Sequence, residues 1–487
     1  MSEDSKLNML YWSAALFAAL NLTLIVFDVY WLSALPFAMA VMLLFFFSLD
    51  KLIFLLVFLT PLTFKYVHEG LGFTIDIPTE PLIVAVMMLF FFRLAYERQY
   101  DMRILRHPVT VFLLLKLLWM FVTSVTSELP IVSFKYFISR LWFVVTFYFV
   151  AIYLFRDSRN MQKYMWLFAS TLFIIVLVST YRHYLFDFER DMGYFVVRPF
   201  FNDHTHYSAV LALVAPFFIV MAFNKTDSVL RRRMAVIVFI VFCIGILFSY
   251  SRASWVSLMI AFAGFIILAF RVKFRFILAG VIFVLGTLYL FQTEIIMELE
   301  RNQQESSGDF AEHWRSVSNI TTDASNLERI NRWRSAYRMF EDRPVFGWGP
   351  GTYQLVYAPY QRSEDYTIIT THFGDLGNAH SEYIGPLSES GLPGMLLFIG
   401  MALAVMATGV KLWKKAPTRE MRLVALGLSL GFITYFTHGV LNNFLDTDKA
   451  SVPFWGMMAM LVAMDVFHKK TGRSKEKAES SQPETGR

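Results

Sequence analysis

The chain has 487 residues, of which 56% are hydrophobic and only 17% charged, with a formal net charge of +6. Apolar runs recur along nearly its whole length, most of them near the roughly 17–25 residues a helix needs to cross a hydrocarbon core. This excludes a soluble multidomain protein, and the runs are too long for membrane β-strands of about 10 residues.

The expected fold class is all-α: a polytopic membrane protein with about 12–14 transmembrane helices. The first apolar segment, 9–27, is followed at once by 30–48 without a small-residue cleavage pattern, so it reads as a retained helix and not a signal peptide. Further spans are expected at 50–65, 81–95, 108–127, 137–155, 163–181, 206–223, 233–250, 253–270, 274–292, 392–410, 421–439 and 451–467. The polar end, 468–487, reads as a disordered tail. The single cysteine, Cys243, lies in an apolar run and excludes an intrachain disulfide or a cysteine-based metal site.

Charge sets the orientation. The basic connections RLAYERQYDMRILRH (93–107), FRDSRNMQK (155–163), NKTDSVLRRRM (224–234), RVKFR (271–275), KLWKKAPTREMR (411–422) and HKKTGRSKEK (468–477) fall on one side when the spans are counted. The positive-inside rule makes that side, with both termini, cytoplasmic. Three polar segments fall on the other face: 182–205, the junction SYSRASW (249–255), and a loop of about 90 residues, 293–383. Loops of that length are usually functional.

Arginines gather on this outer face: Arg182, Arg190, Arg198 and Arg252, then Arg329, Arg332, Arg334, Arg338 and Arg343 in the large loop. A guanidinium is a planar, permanently charged fork for carboxylate or phosphate oxygens, so an anionic ligand such as a lipid-linked phosphate is expected. For most of these arginines, pairing with Asp187, Glu189, Asp191, Glu328 or Glu341 is the simpler reading. Arg198 and Arg252 are read as functional, and Arg252 stands at a junction of two apolar spans where an idle charge is costly.

Segment 325–341 reads as an amphipathic helix. Ser325 and Glu328 form a capping box, and Ile330, Trp333, Tyr337 and Phe340 an apolar stripe at helical spacing. The following EDRPVFGWGPGTY (341–353) reads as a turn-rich connector in preference to a phosphate cradle. Trp348, Tyr353, Tyr357, Tyr360 and Tyr366 either stack on sugars or form an interfacial aromatic belt. In NDHTH (202–206), His204 and His206 have only Asp203 as a nearby third ligand, so no metal is expected. Asp446-Thr447-Asp448 mimics a metal–nucleotide-sugar motif but falls outside, where it reads as a loop.

The stretch GNAHSEYIGPLSESGLPG (377–394) gathers His380, Glu382 and Glu389 before an apolar run. It reads both as a broken helix start and as a candidate site. An imidazole with an ordinary pKa near ~6.5 suits a general base. Glu382 and Glu389, two helical turns apart and expected to share a face, either orient the imidazole and bind hydroxyls or serve as early-turn acids.

Together SRASW (251–255), the run from Arg329 and Trp333 through Pro344, Gly347 and Gly349 to Gly351, and H-S-E-Y…E-S-G-x-x-G from His380 to Gly394 resemble the O-antigen ligase and polymerase superfamily with its Wzy-C-type domain. The resemblance covers about 195–400; Ser381 stands where the family often has Asn. It implies an organisation of N-terminal spans (1–194), a ligase-like core (195–403) with the periplasmic loop 293–383, C-terminal spans (404–467) and the cytoplasmic tail 468–487. It further implies a metal-independent, inverting glycosyltransferase of the bacterial inner membrane without cofactor. The donor would be an undecaprenyl-pyrophosphate-linked glycan and the acceptor lipid A-core or another glycan, with membrane lipids as surroundings and no nucleic-acid partner. His380 would be the catalytic base, and Arg252, Arg198 and Arg329 would bind the donor pyrophosphate; Glu382, Glu389, Arg334 and His204 are possible supports. Ligase is preferred, with O-antigen, capsule or exopolysaccharide polymerase as the alternative and protein O-oligosaccharyltransferase behind both. A transporter of lipid-linked glycans is disfavoured, because mid-span charges are few (Lys116 is the clearest) and no internal repeat is visible.

Overall fold

A computed structural model describes residues 3–27, 31–68, 73–98, 100–270, 272–291, 324–366 and 377–468. Most of the N-terminal part of the expected periplasmic loop and nearly all of the expected tail lie outside these described residues. The chain divides into two units, Met1–Leu56 and Val57–Arg487. The first holds α1 (Glu3–Val26), α2 (Leu35–Phe47) and the start of α3 (Leu49–Leu59).

The expected span 50–65 is not one helix. Helix α3 has 11 residues, about 16 Å of helix against a core of ~30 Å. Pro61, in a 3-10 turn over Thr60–Leu62, removes a backbone donor and crowds the preceding turn. The chain then forms a hairpin that hydropathy did not reveal, β1 (Phe64–His68) antiparallel to β2 (Phe73–Ile77), with Phe64 opposite Ile77.

Nine helices among the described residues are long and apolar enough to cross a membrane. In order they are α1 over Leu7–Val26, α4 (Thr79–Glu97), α5 (Pro108–Val125), α6 (Pro130–Leu154), α7 (Arg159–Tyr184) and α8 (His204–Met221). After α9 (Val229–Phe248) comes the seventh, α10 (Arg252–Ala269). After α11 (Phe274–Leu290) and α12 (Ala324–Asp342) comes α13 (Ile384–Lys415), and after α14 (Arg419–His438) the ninth, α15 (Asp448–Phe467). Helices α9, α11 and α14 occupy further expected spans, but α9 and α14 open on charged turns containing Arg231–Arg233 and Arg419, Glu420 and Arg422. The protein is an all-α polytopic membrane protein.

Helices α8 and α15 are almost wholly buried and form the centre of the second unit. Helix α8 packs on α9 and α14, α10 on α14, and α13 on α5 and α14. The α8–α14 approach is close because α14 presents small residues there. A Cβ at Gly431 would stand 2.3 Å from the Leu213 carbonyl oxygen, and Thr434 Oγ1 donates to Ala212 O at 2.9 Å. Small residues and cross-helix hydrogen bonds are how helices hold together where lipid removes the hydrophobic drive.

Helix α12 matches the expected 325–341 helix but is rotated from the expected packing. Its buried face carries Glu328, Asn331, Arg332, Ser335, Ala336 and Met339, while Tyr337 of the apolar stripe is exposed and Ile330, Trp333 and Phe340 are half-buried. The polar buried face is tolerated because its groups satisfy one another: Arg332 Nε donates to Glu328 Oε1 at 2.9 Å and Asn331 Nδ2 to Gln361 Oε1 at 3.1 Å. Glu328 is thus an ion-pair partner. Ser325 already lies inside the helix, and its side chain is outside the described residues.

Candidate functional site

Residues 377–383 lead into α13, and they pass between two clusters of side chains. Helix α13 is interrupted at Gly391 (φ 68°), where Leu392 N donates to Pro344 O at 2.9 Å. The GWGPG connector packs against the same turn. Gly347, Gly349 and Gly351 all have positive φ, which explains their alternation. Its amides are spent on α13: Trp348 N donates to Ser388 O at 3.1 Å, Gly349 N to Glu389 O at 2.8 Å and Tyr353 N to Glu389 Oε1 at 3.1 Å. The connector is therefore a brace. Tyr353 and Tyr357 are buried with Ala336, Met339 and Ala379 in a small core, so they are not sugar-stacking platforms.

His380 follows Ala379 of this core in the chain. Its backbone is left-handed (φ 48°), a sparse region for a non-glycine residue. The bend is held by neighbours: His380 N donates to Asn378 Oδ1 at 3.0 Å, Arg332 Nη1 to Asn378 O at 3.1 Å and Glu382 N to Gly439 O at 2.8 Å. Burial, followed by the positive charges of Arg332 and Arg329, lowers the imidazole to about 4, so it is neutral at pH 7. Arg329, half-buried on α12, and Asp203, at the start of α8, both lie close enough to act on it electrostatically.

On the same flank the starts of α8 and α10 meet the end of α14. Ser254 Oγ donates to Ser208 Oγ at 2.7 Å and lies 3.2 Å from Ser251 Oγ. His438 Nδ1 lies 3.4 Å from Ser254 Oγ, and Asn442 Nδ2 donates to His438 Nε2 at 3.1 Å. None of Ser208, His438 or Asn442 was singled out in the sequence; only Ser251 and Ser254, inside SRASW, carried a signal. Arg252 is the first residue of α10, adjoining this chain of hydroxyls. One turn on, Trp255 opens an apolar groove of ≈ 810 Å³ among α8, α9, α10 and α14, floored by Met259, Phe262 and Phe265.

The other expected residues are placed as follows. Arg198 is exposed, its guanidinium 5.0 Å over the Phe195 ring, and its carbonyl accepts from Arg182. His204 Nδ1 donates to Ser249 O at 2.7 Å, tying α8 to the turn before α10. Arg334 is ion-paired with Asp365, which Arg338 Nη2 also holds at 2.7 Å. Despite burial, the hydrogen bonds from Arg338 and Arg334 keep that carboxyl below the usual range.

Glu382 precedes α13 and Glu389 lies within it, so helical spacing does not relate them. Glu382 Oε1 accepts from Tyr435 Oη at 2.6 Å, Phe444 N at 3.0 Å and Leu445 N at 3.1 Å, which pins the 439–447 loop. Both carboxylates nevertheless line one cavity of ≈ 640 Å³ bounded by α5, α6 and α13. Lys116, Lys135, Arg140 and Asp446 line it as well. Arg140 is buried, donates to Leu445 O and pairs with Asp446, while its Nη2 donates to Tyr136 Oη at 2.8 Å. This cavity was not foreseen. Its charged residues come from the neighbouring α5 and α6, from α13 and the segment before it, and from the 439–447 loop, and only Lys116 stood out as a mid-span charge.

Among the described residues no three His, Cys, Asp or Glu side chains converge to hold a metal ion. The assembly is that of a polytopic membrane protein in which helix ends and the segment before α13 bring guanidiniums close to a half-buried histidine. Residues 235–399 match the family model described as O-antigen ligase. The matched stretch runs from α9 to the middle of α13 and includes Arg252, Arg329 and His380. Among the curated proteins none matches the chain.

Proposed function

We propose that the protein is a metal-independent, inverting glycosyltransferase that moves a glycan from undecaprenyl-pyrophosphate to an acceptor hydroxyl on the periplasmic face of the inner membrane, as an O-antigen ligase acting on lipid A-core. The observation that carries this reading is His380, a neutral imidazole in a backbone bend beside Arg329 and Arg332, inside the matched domain. In this reading the acceptor hydroxyl gives its proton to His380 as it attacks the anomeric carbon, and the sugar–phosphate bond breaks with inversion. The pyrophosphate leaves with its electron pair, and fixed guanidiniums at Arg252 and Arg329 stabilise the developing charge without reorganising. An arriving pyrophosphate offsets the positive field at His380, which strengthens the base when the donor is bound.

The groove below Arg252 supports the lipid-linked donor: a guanidinium at the helix start and an apolar channel along the same face suit a phosphate head with an isoprenoid tail. The domain core is taken as 195–403, with both termini cytoplasmic. Polymerase remains the second reading, since donor, arginines and base would be alike. Arg198, exposed and locally held, is proposed to meet the donor only at the rim; Arg334, Glu382, Glu389 and His204 are proposed to position the site's loops.

Deleting the gene and displaying the envelope lipopolysaccharide on a gel tests this. Bare core with accumulated lipid-linked polymer is expected. Core bearing a single repeat would mean polymerase, and unaltered lipopolysaccharide would overturn both readings.

A further inference from the structure

The cavity between α5, α6 and α13 has no part in the transfer chemistry above, and its charges divide unequally. Every carboxylate in it is engaged: Glu382 by Tyr435 and two backbone amides, Glu389 by the Tyr353 amide, Asp446 by Arg140 and Tyr136. Arg140 is likewise spent on Leu445, Tyr136 and Asp446. The two ammoniums are not. Neither Lys116 nor Lys135 has a hydrogen bond or ion pair among the described residues; Lys116 Nζ stands 4.4 Å from the centre of the Phe398 ring, and Lys135 is exposed.

Lys116 lies in the middle of a membrane-spanning helix, where a cation without a contact ion pair is costly and usually functional, and Glu382 and Asp446 act on it through space. The rest of the wall is mixed. Trp119, Met120 and Ile131 offer apolar surface, while Gln354, Asn378 and Asn443 offer amides. Such a wall fits an amphiphile with an anionic, hydroxyl-rich head. Its position matters as much as its chemistry, because Asn378, Ala379, Ser381 and Glu382 line it on both sides of His380 in the chain. A head group bound here would lie across the 378–382 segment from the arginine flank.

We infer that this cavity binds the second substrate, a phosphate-bearing glycolipid acceptor, with Lys116 and Lys135 holding its phosphate. The inference rests on the transferase reading of the previous section. It separates the two substrates: donor on the arginine flank, acceptor on the lysine flank, and the base between them.

The test uses the full chain in proteoliposomes with a pyrophosphate-linked donor and, as acceptor, a diglucosamine lipid with and without its phosphates. Lys116→Met and Lys135→Met together are expected to raise the acceptor KM about tenfold. The donor KM and kcat should stay within about twofold, and Lys116→Arg should restore most of the loss. The dephosphorylated acceptor should serve wild type and variants equally. An unchanged acceptor KM, an equal rise with the dephosphorylated acceptor, or a rise confined to the donor KM overturns the assignment. If the wild-type protein transfers nothing to either lipid, the transferase reading fails on its own, and binding then decides the site. Native mass spectrometry would compare the phosphorylated lipid, its dephosphorylated form and inorganic phosphate alone. Retention of the phosphorylated lipid that Lys116→Met weakens about tenfold supports the site; equal retention of both lipids, or inorganic phosphate held as firmly as the lipid, overturns it.

Discussion

The two flanks of residues 378–382 use their charges differently. On the His380 flank, Arg332 is spent on Glu328 and Asn378, and Arg334 and Arg338 close on Asp365. Those guanidiniums build the loop that holds the histidine. On the cavity flank, Arg140 does the building, while neither Lys116 nor Lys135 has a hydrogen bond or ion pair among the described residues. An arginine-rich stretch thus marks structure as often as it marks a ligand. An ammonium without a contact ion pair inside a membrane is the sharper indicator.

The largest expected effect that would break this contrast is at the base. His380→Ala should lower transfer by about 10²–10⁴-fold, read as lipopolysaccharide capped per cell at equal protein level; a full rate would remove the chemistry from this flank. Next comes Glu382, whose removal orphans the amides of Phe444 and buried Leu445 and a buried tyrosine hydroxyl. Glu382→Ala should cost about 2–4 kcal/mol of stability, seen as a lowered thermal midpoint in detergent, with Glu382→Gln costing less. A loss of turnover at unchanged stability would instead make this carboxylate part of the chemistry.

A third test titrates the histidine. With the folded imidazole at about 4 and its ordinary value near ~6.5, the unfolded chain binds the extra proton between those limits. The stability from keeping His380 neutral is therefore full above the ordinary value and falls away as pH drops toward 4. The acid limb of kcat/KM should fall near 4 as well. Arg332→Gln, removing the second cause of the shift after burial, should move that limb up by about half a unit to one unit; no movement would separate Arg332 from the base. The smallest effect belongs to Arg334, half exposed on its ion pair. Arg334→Ala should cost at most about 1 kcal/mol and leave the donor KM unchanged, and a raised donor KM would return it to the ligand.

Much of the fold was legible because a membrane solvent permits few alternatives. Helices α8, α13 and α15 each cover a strongly apolar run, and α12 matches its helical spacing. The hairpin at 64–77 was not legible, since its pairing depends on residues across a turn and the preceding apolar run masks it. For the site, composition picked out His380 and the arginines without telling which were already paired. The Glu382–Glu389 spacing misled because α13 starts only at Ile384. The Lys116–Arg140 cavity was invisible for a different reason: α5, α6 and α13 meet only in three dimensions.

The left-handed bend at His380 affects how the base should be removed. Alanine disfavours that backbone as any side chain with a Cβ does, by about 1 kcal/mol or more, so an inactive His380→Ala protein leaves open whether the imidazole or the shape of 378–382 was lost. Asparagine visits the left-handed region several times more readily than most residues. His380→Asn is therefore the substitution that deletes the base and keeps the path of the chain, and any transplant of this segment into another scaffold must carry Asn378 and Arg332 with it.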